Sequence, residues 1–260
     1  MEPINVFVGY DSREHIAFKV CEHSLVRRSS RPVRVFPLKH KDLRAAQYFN
    51  RPWRIDENGQ GWDERDGRPF STDFAFTRFL TPFIAKANSL TGRVLFVDCD
   101  FLFLDDVSSL IDEASNYPGA VAVVKHEFVP RSHMKMDNKR QEGYPKKLWS
   151  SLIVWNLDHK SNEVLSLSDV NTREGRWLHN FSWLKEGEIN PLSERWNWIP
   201  DVSPTLDKKM ELRDIGALHF TEGGPWLENC RGVKHGDLWL LEQAHYIASM
   251  GRINKDKIRL

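Results

Sequence analysis

The chain has 260 residues, 40% of them hydrophobic and 28% charged, and its 37 basic and 36 acidic side chains leave a net charge of +1. That length and composition describe a globular protein able to bury a sizeable core as one large domain or two small ones. The near-neutral balance excludes a global field drawing it to nucleic acid or an anionic membrane, although a local basic patch is still allowed.

Ile4 to Val8 is a short apolar run that breaks into Gly9-Tyr10-Asp11-Ser12 and then a helical pattern from about His15 to Arg27, a first strand–helix unit of a nucleotide-binding fold. No Gly-x-Gly-x-x-Gly and no Walker motif follows, so neither a dinucleotide nor a P-loop site is indicated. Tyr10, at the strand end, suits base stacking as well as a rim position. Pro32 to Leu38 reads as a second strand. Residues 50–71 fit no period and are expected to be an irregular polar excursion or a loop over a site. From Ser71 to Ala87 a helix is expected, capped by Ser71 or Thr72 and kinked at Pro82. Arg78 lies off its apolar stripe, placed to face a phosphate, to neutralise Asp98 or to remain solvated.

Arg93 to Val97 is an apolar run too short for a helix and reads as a strand buried on both faces, as in a parallel sheet. It ends in Asp98-Cys99-Asp100, after which apolar residues resume. Ligands of open α/β sheets bind outside the carboxyl ends of the strands. Two acidic groups beside a buried edge need a counter-charge, and a hard cation such as manganese or magnesium is the simplest one. The same three-residue pattern also occurs in ordinary turns and caps.

Beyond it come a short helix, Val107 to Ala114, and a strand, Ala120 to Lys125. A polar loop over 130–147 carries Arg131, His133, Lys135, Lys139, Arg140, Lys146 and Lys147. Leu148 to Leu157 reads as a strand ending in polar Asn156 and Asp158, and Val170 to Leu184 as an aromatic helix. Asn190 to Trp198 is an extended turn rich in Trp. Ile215 to Phe220 is a late strand with His219 near its end, leading to Gly223-Gly224-Pro225-Trp226. Residues 237–250 close the chain as an amphipathic helix. Alternating strands and helices argue for one α/β domain, with a nucleotide-binding half at about 1–106 and an acceptor-side half at about 107–260. Three widely spaced cysteines, Cys21, Cys99 and Cys230, form no disulfide framework or Cys-x-x-Cys site. The N-terminus lacks a signal-peptide pattern, and no run approaches the ~18 apolar residues of a membrane span. A cytoplasmic setting is expected.

Val6-Phe-Val-Gly-Tyr-Asp11, the Arg78 segment, Leu95-Phe-Val-Asp-Cys-Asp100 and the late Leu218-His-Phe220 with Gly223-Gly-Pro-Trp226 together resemble glycogenin-type glycosyltransferases of family 8. The resemblance runs from Val6 to about Trp226. It implies a Rossmann-like nucleotide-sugar transferase with a mostly parallel sheet, a UDP-sugar donor by preference and retention at the anomeric carbon. By position, Asp98, Asp100 and His219 are the implied manganese (or magnesium) ligands, with Asp98 also near the ribose. Val8, Gly9, Tyr10, Asp11 and Cys99 would lie around the nucleoside, Arg78 near the diphosphate or donor sugar, and Gly223 and Gly224 near the diphosphate. The chain departs from the family where Gly224 replaces a Lys before Pro-Trp and where Ser150-Ser151-Leu152 replaces Asn-Ser-Gly. Trp177-Leu178-His179 also stands where an Asp-Gln pair is expected. Asp158 and His179 are the polar candidates on the acceptor side. The acceptor expected is a glycan, a lipid-linked saccharide or a modified DNA base, the last served by the basic stretch 131–147. A sugar nucleotidyltransferase is the alternative within the fold class, and it would carry a basic Gly-rich loop where this chain has Gly9-Tyr10-Asp11. A non-catalytic carbohydrate-binding protein is the alternative outside it, against which the Asp98, Asp100 and His219 set speaks.

Overall fold

The structure, a computed structural model, describes residues 2–126, 134–135, 139–140, 146–200, 202–203 and 210–257. The basic stretch 131–147 lies largely outside the described residues. Strands run β1 Ile4–Tyr10, β2 Val33–Lys39, β3 Trp53–Ile55, β4 Gly61–Asp63, β5 Pro69–Phe70, β6 Arg93–Val97, β7 Phe101–Phe103, β8 Val121–Val123, β9 Met134–Lys135, β10 Lys139–Arg140, β11 Leu152–Asn156, β12 Ile189–Pro191 and β13 Ala217–His219. Helices run α1 His15–Arg28, α2 His40–Ala45, α3 Thr81–Ala87, α4 Val107–Ser115, α5 Leu167–Thr172, α6 Gly175–His179 and α7 Gly236–Lys257.

Six strands form the central sheet in the order β12-β8-β11-β6-β1-β2. β1 pairs in parallel with β2 and β6, β12 in parallel with β8, and β11 antiparallel with both β6 and β8. Five of these strands therefore point one way and β11 runs against them. The sheet draws on both halves of the sequence and is a mixed α/β sheet of mostly parallel character. β6 sits near its centre, and Val94, Leu95, Phe96 and Val97 are all fully buried, as the uninterrupted apolar run requires. Truncating such a side chain, Phe96→Ala for example, costs about 3–5 kcal/mol because neighbours collapse only partly into the space.

A second, smaller core lies beside the sheet. β7, immediately after Asp100, pairs antiparallel with β13, and Leu102, Trp198, Leu218, Phe220 and Trp239 are buried together there with Ala17 and Val20 of α1. Trp239 brings α7 onto this core, and its indole lies 5.2 Å from that of Trp226. Among the described residues no helix is long and apolar enough to cross a membrane.

Four expected elements differ, the first being the strand expected over 148–157, which opens as a 3-10 turn at Lys147–Ser151 and becomes β11 only at Leu152. Residues 50–71 contain an antiparallel sheet, β3-β4-β5, anchored by the fully buried Arg51. Its Nε and Nη2 donate to Asp63 Oδ1 and Oδ2 at 2.8 and 2.5 Å, and Nη1 donates to the carbonyl of Arg173 at 2.6 Å. Strands this short hide their period, and the Arg51–Asp63 ion pair together with the long-range bond to the Arg173 carbonyl supplies what the local pattern lacks. The expected helix over 71–87 starts only with a 3-10 turn at Thr77–Leu80 and then α3, where Pro82 sits in the first turn instead of kinking the interior. The amide of Asp73 is engaged by Asp11 Oδ2 at 3.1 Å and so does not enter a helical ladder. The expected helix over 170–184 is split into α5 and α6. Arg173 between them is extended, with its carbonyl committed to Arg51 and the Gly175 amide to Asp66 Oδ2 at 2.9 Å.

Candidate active site

The carboxyl end of β6 delivers Asp98 and Asp100, 6% and 2% exposed, into a buried corner. His219 arrives from the other half of the chain, because the β7–β13 register pairs it with Phe101. Its ring stacks on Phe101 at 4.2 Å between centroids and 17° between planes. One ligand atom from each of Asp98, Asp100 and His219 lies within 4.8 Å of the other two. His219 Nδ1 bonds Asn197 Oδ1 at 2.8 Å, and Nε2 lies 3.3 Å from Asp100 Oδ1. An amide oxygen only accepts, so Nδ1 carries the proton and Nε2 presents its lone pair on the carboxylate side. Two carboxylates and an imidazole oriented this way suit a divalent cation of the manganese or magnesium class, so the residues present fit the metal that the sequence implies.

Arg78 resolves the choice left open in the sequence in favour of Asp98. Its guanidinium is 5% exposed, lies between the rings of Phe74 and Phe96 at 5.5 and 5.3 Å, and places Nη1 3.0 Å from Asp98 Oδ1 and Nη2 3.3 Å from Oδ2. Nη1 also donates to the carbonyl of Ser150 at 2.7 Å. Burying this cation beside a carboxylate is tolerable only because the two are paired.

The turn Lys147–Ser151 joins these groups. The Asp98 amide donates to the Ser151 carbonyl at 2.9 Å. Ser151 Oγ accepts from Asn197 Nδ2 at 2.9 Å and donates to the Leu148 carbonyl at 2.7 Å. Ser150 Oγ lies 2.6 Å from His179 Nδ1. In the sequence Ser150 and Ser151 stand out only as a departure from the family's Asn-Ser-Gly, and Asn197 is not singled out at all. One signal is available for Asn197, a lone amide between Trp196 and Trp198 in a segment whose aromatics demand burial.

The remaining candidates divide. Gly9 lies where a Cβ would stand 2.6 Å from the Phe74 ring, so that close approach requires glycine. Val8 is fully buried and paired with Val97, its side chain in the core. Tyr10 bonds His15 Nδ1 at 3.0 Å through its hydroxyl, and Lys39 Nζ sits 5.1 Å above its ring. Asp11 is fully buried and takes the Arg13 amide, Nε and Nη2 at 2.9, 3.0 and 2.6 Å. Cys99 is fully buried with its thiol 3.7 Å from Glu14 Oε2, and burial pushes that thiol well above its usual range. It therefore packs behind the site. Gly223, at φ +118°, turns the chain after Phe220, and Gly224 leaves room for the ring of Trp226. Asp158 stands in the wrong place for an acceptor-side role. β11 runs antiparallel to β6, so Asp158 meets the Gly92 amide at 3.3 Å at the opposite end of the strand, about 20 Å from Asp98 at the strand rise of ~3.3 Å per residue. His179 is 6% exposed, packs edge-on against Phe79 and meets Ser150 Oγ through Nδ1.

No protein-family model matches the chain. Protein CDI of Arabidopsis thaliana is 38% identical over 245 residues, which cover 94% of this chain and 88% of that protein. Among solved structures, an active-site mutant of LgtC superposes with a TM-score of 0.58 at 16% identity, over 93% of this chain and 96% of that one. The galactosyltransferase LgtC in complex with donor and acceptor sugar analogs gives 0.56 at 13% identity over the same shares. The bifunctional glycosyltransferase WbbM gives 0.58 at 14% identity over 93% of this chain, which spans half of WbbM. The chain has the glycosyltransferase fold of these structures.

Proposed function

The chain belongs to the family of Protein CDI; from its glycosyltransferase fold and its buried acidic site we propose that it is a metal-dependent glycosyltransferase. It moves a sugar from a nucleoside-diphosphate donor, a UDP-sugar by preference, to a glycan, lipid-linked or modified-base acceptor, with retention. The observation that carries this reading is the convergence of Asp98, Asp100 and His219 within 4.8 Å at the carboxyl end of a buried strand. Asp98, Asp100 and His219 Nε2 would hold the cation. Once bound, it supplies Lewis acidity to the departing diphosphate. Asn197 keeps the His219 proton on Nδ1. Arg78 holds the Asp98 carboxylate in place and brings positive charge to where negative charge develops. Gly9, Tyr10 and Asp11 would line the nucleoside end of the crevice, and the backbone at Gly223 and Gly224 would approach the diphosphate.

A thermal-shift panel tests the reading: UDP, GDP, CDP and their sugar conjugates, with and without Mn2+, on the wild type and Asp100→Ala. The expected result is a rise in melting temperature that needs both metal and one nucleotide and disappears in Asp100→Ala. No shift with any nucleotide at saturating Mn2+ would overturn it.

A further inference from the structure

His179 is buried and tied to the acidic pair. Ser150 Oγ lies 2.6 Å from His179 Nδ1 and 3.4 Å from Arg78 Nη1, whose stronger bond, at 2.7 Å, goes to the carbonyl of the same residue. A guanidinium only donates, so Ser150 Oγ accepts from Arg78, and the same oxygen shares a second hydrogen bond with His179 Nδ1. The chain of contacts His179–Ser150–Arg78–Asp98 is buried at every member. A parallel chain, Ser151–Asn197–His219, orients the imidazole from the neighbouring serine. Consecutive serines thus couple a histidine to each side of the site.

We propose that His179 is a positioning residue: through Ser150 it holds the Arg78 guanidinium on Asp98 and so sets how tightly Asp98, Asp100 and His219 bind a divalent cation. The proposal rests on the metal-dependent reading above. Groups that orient the ligands of a metal typically change its affinity by about 10–100-fold when removed, and His179 acts through one intervening side chain, so the lower end applies.

The test is titration of the full-length protein with Mn2+ alone and with Mn2+ in the presence of UDP, followed by calorimetry or by the Mn2+ electron paramagnetic resonance signal. His179→Ala is expected to raise the Mn2+ Kd about tenfold, and Ser150→Ala to reproduce that loss. The double variant should be little worse than either single one, as members of one network are not additive. His179→Asn keeps a hydrogen-bonding atom near the Nδ1 position, able to donate or accept, and should return the Kd to within about threefold of wild type. Phe79→Leu loosens the packing of the His179 ring without touching these bonds, and it should lower the melting temperature while leaving the Kd unchanged. An unchanged Kd in His179→Ala, additive losses in the double variant, or an equal loss in Phe79→Leu would each overturn the proposal while leaving the proposed function intact. A wild type that binds no Mn2+ under either condition would overturn both.

Discussion

Asp11 and Asp73 occupy the same crevice at the ends of β1 and β2 and yet titrate in opposite directions. Burial pushes the Asp11 carboxyl up, but the Arg13 guanidinium and amide and the Asp73 amide together outweigh it and hold Asp11 below its ordinary value. Asp73 has no such set of donors. Burial and then the Asp11 charge push it up to about 6, against the pull of Arg13 and Lys41, with His40 Nε2 3.5 Å away. A carboxyl raised in the folded state binds its proton more tightly there than in the unfolded chain. Its penalty on stability therefore grows as pH rises from about 4, where the unfolded group ionises, to about 6, and is constant above. Asp73→Asn mimics the neutral form. It is expected to stabilise the protein by about 1 kcal/mol at pH 7.5 and by nothing near pH 4, a discounted figure because the group retains some solvent. Urea denaturation at the two pH values checks this.

Between elements, the clearest single link is Glu242. It projects from α7 and is 1% exposed, yet it meets three partners on α1: His23 Nδ1 at 2.6 Å, Arg27 Nη2 at 2.7 Å and Arg28 Nη1 at 2.8 Å. Burial alone would raise this carboxyl, but the bonds from Arg27, Arg28 and His23 lower it to about 2. A depressed carboxylate contributes stability that is complete above its unfolded value, about 4.3, and lost as pH falls through the folded value. Acid unfolding should therefore steepen between about pH 4 and pH 2. Glu242→Gln should cost about 2 kcal/mol at pH 7 and flatten that acid limb, because Arg27 and Arg28 lose their shared partner while remaining partly solvated. Chemical denaturation of the two proteins at pH 7 and pH 3 reads both effects. The sheet β3-β4-β5 depends on a similar long-range link. Arg51 binds Asp63 within the sheet and the Arg173 carbonyl between α5 and α6, so part of the segment's order comes from a partner over a hundred residues away.

At the scale of the whole molecule, the proposed metal site ties two distant parts of the chain together, Asp98 and Asp100 after β6 and His219 at the end of β13. A ligand bound only by the folded state stabilises it by mass action, about 2.7 kcal/mol at a concentration of 100 times Kd. For a chain of this size that corresponds to a rise in melting temperature of roughly 5–10 °C. Mn2+ with its nucleotide should produce such a rise in the wild type and none in Asp100→Ala, as measured by differential scanning calorimetry.

The sequence by itself determined the parts whose signal is local and strong. The apolar run of β6 could be satisfied only by burial on both faces, and carboxylates at its end had to find a positive partner. The helix from His15 was legible in the same way, through periodicity; the closing helix was legible as an element but not in its buried face, since Leu241 and Ile247 of the expected apolar stripe are exposed while Trp239 and Glu242 are buried. Asp98 and Asp100 were legible from the end of that strand, whereas His219 joined them in the sequence only through the family resemblance; the structure brings the three within 4.8 Å. What the tertiary structure alone decided is which polar groups share the buried corner. It spends Arg78 on Asp98, turns Cys99 towards Glu14, moves Asp158 to the far end of an antiparallel strand, and recruits Ser150, Ser151 and Asn197. The physical reason is that hydrogen-bond partners of buried polar groups are set by the direction and register of strands distant in sequence. A one-dimensional pattern records that a residue is polar, but not which way its strand runs.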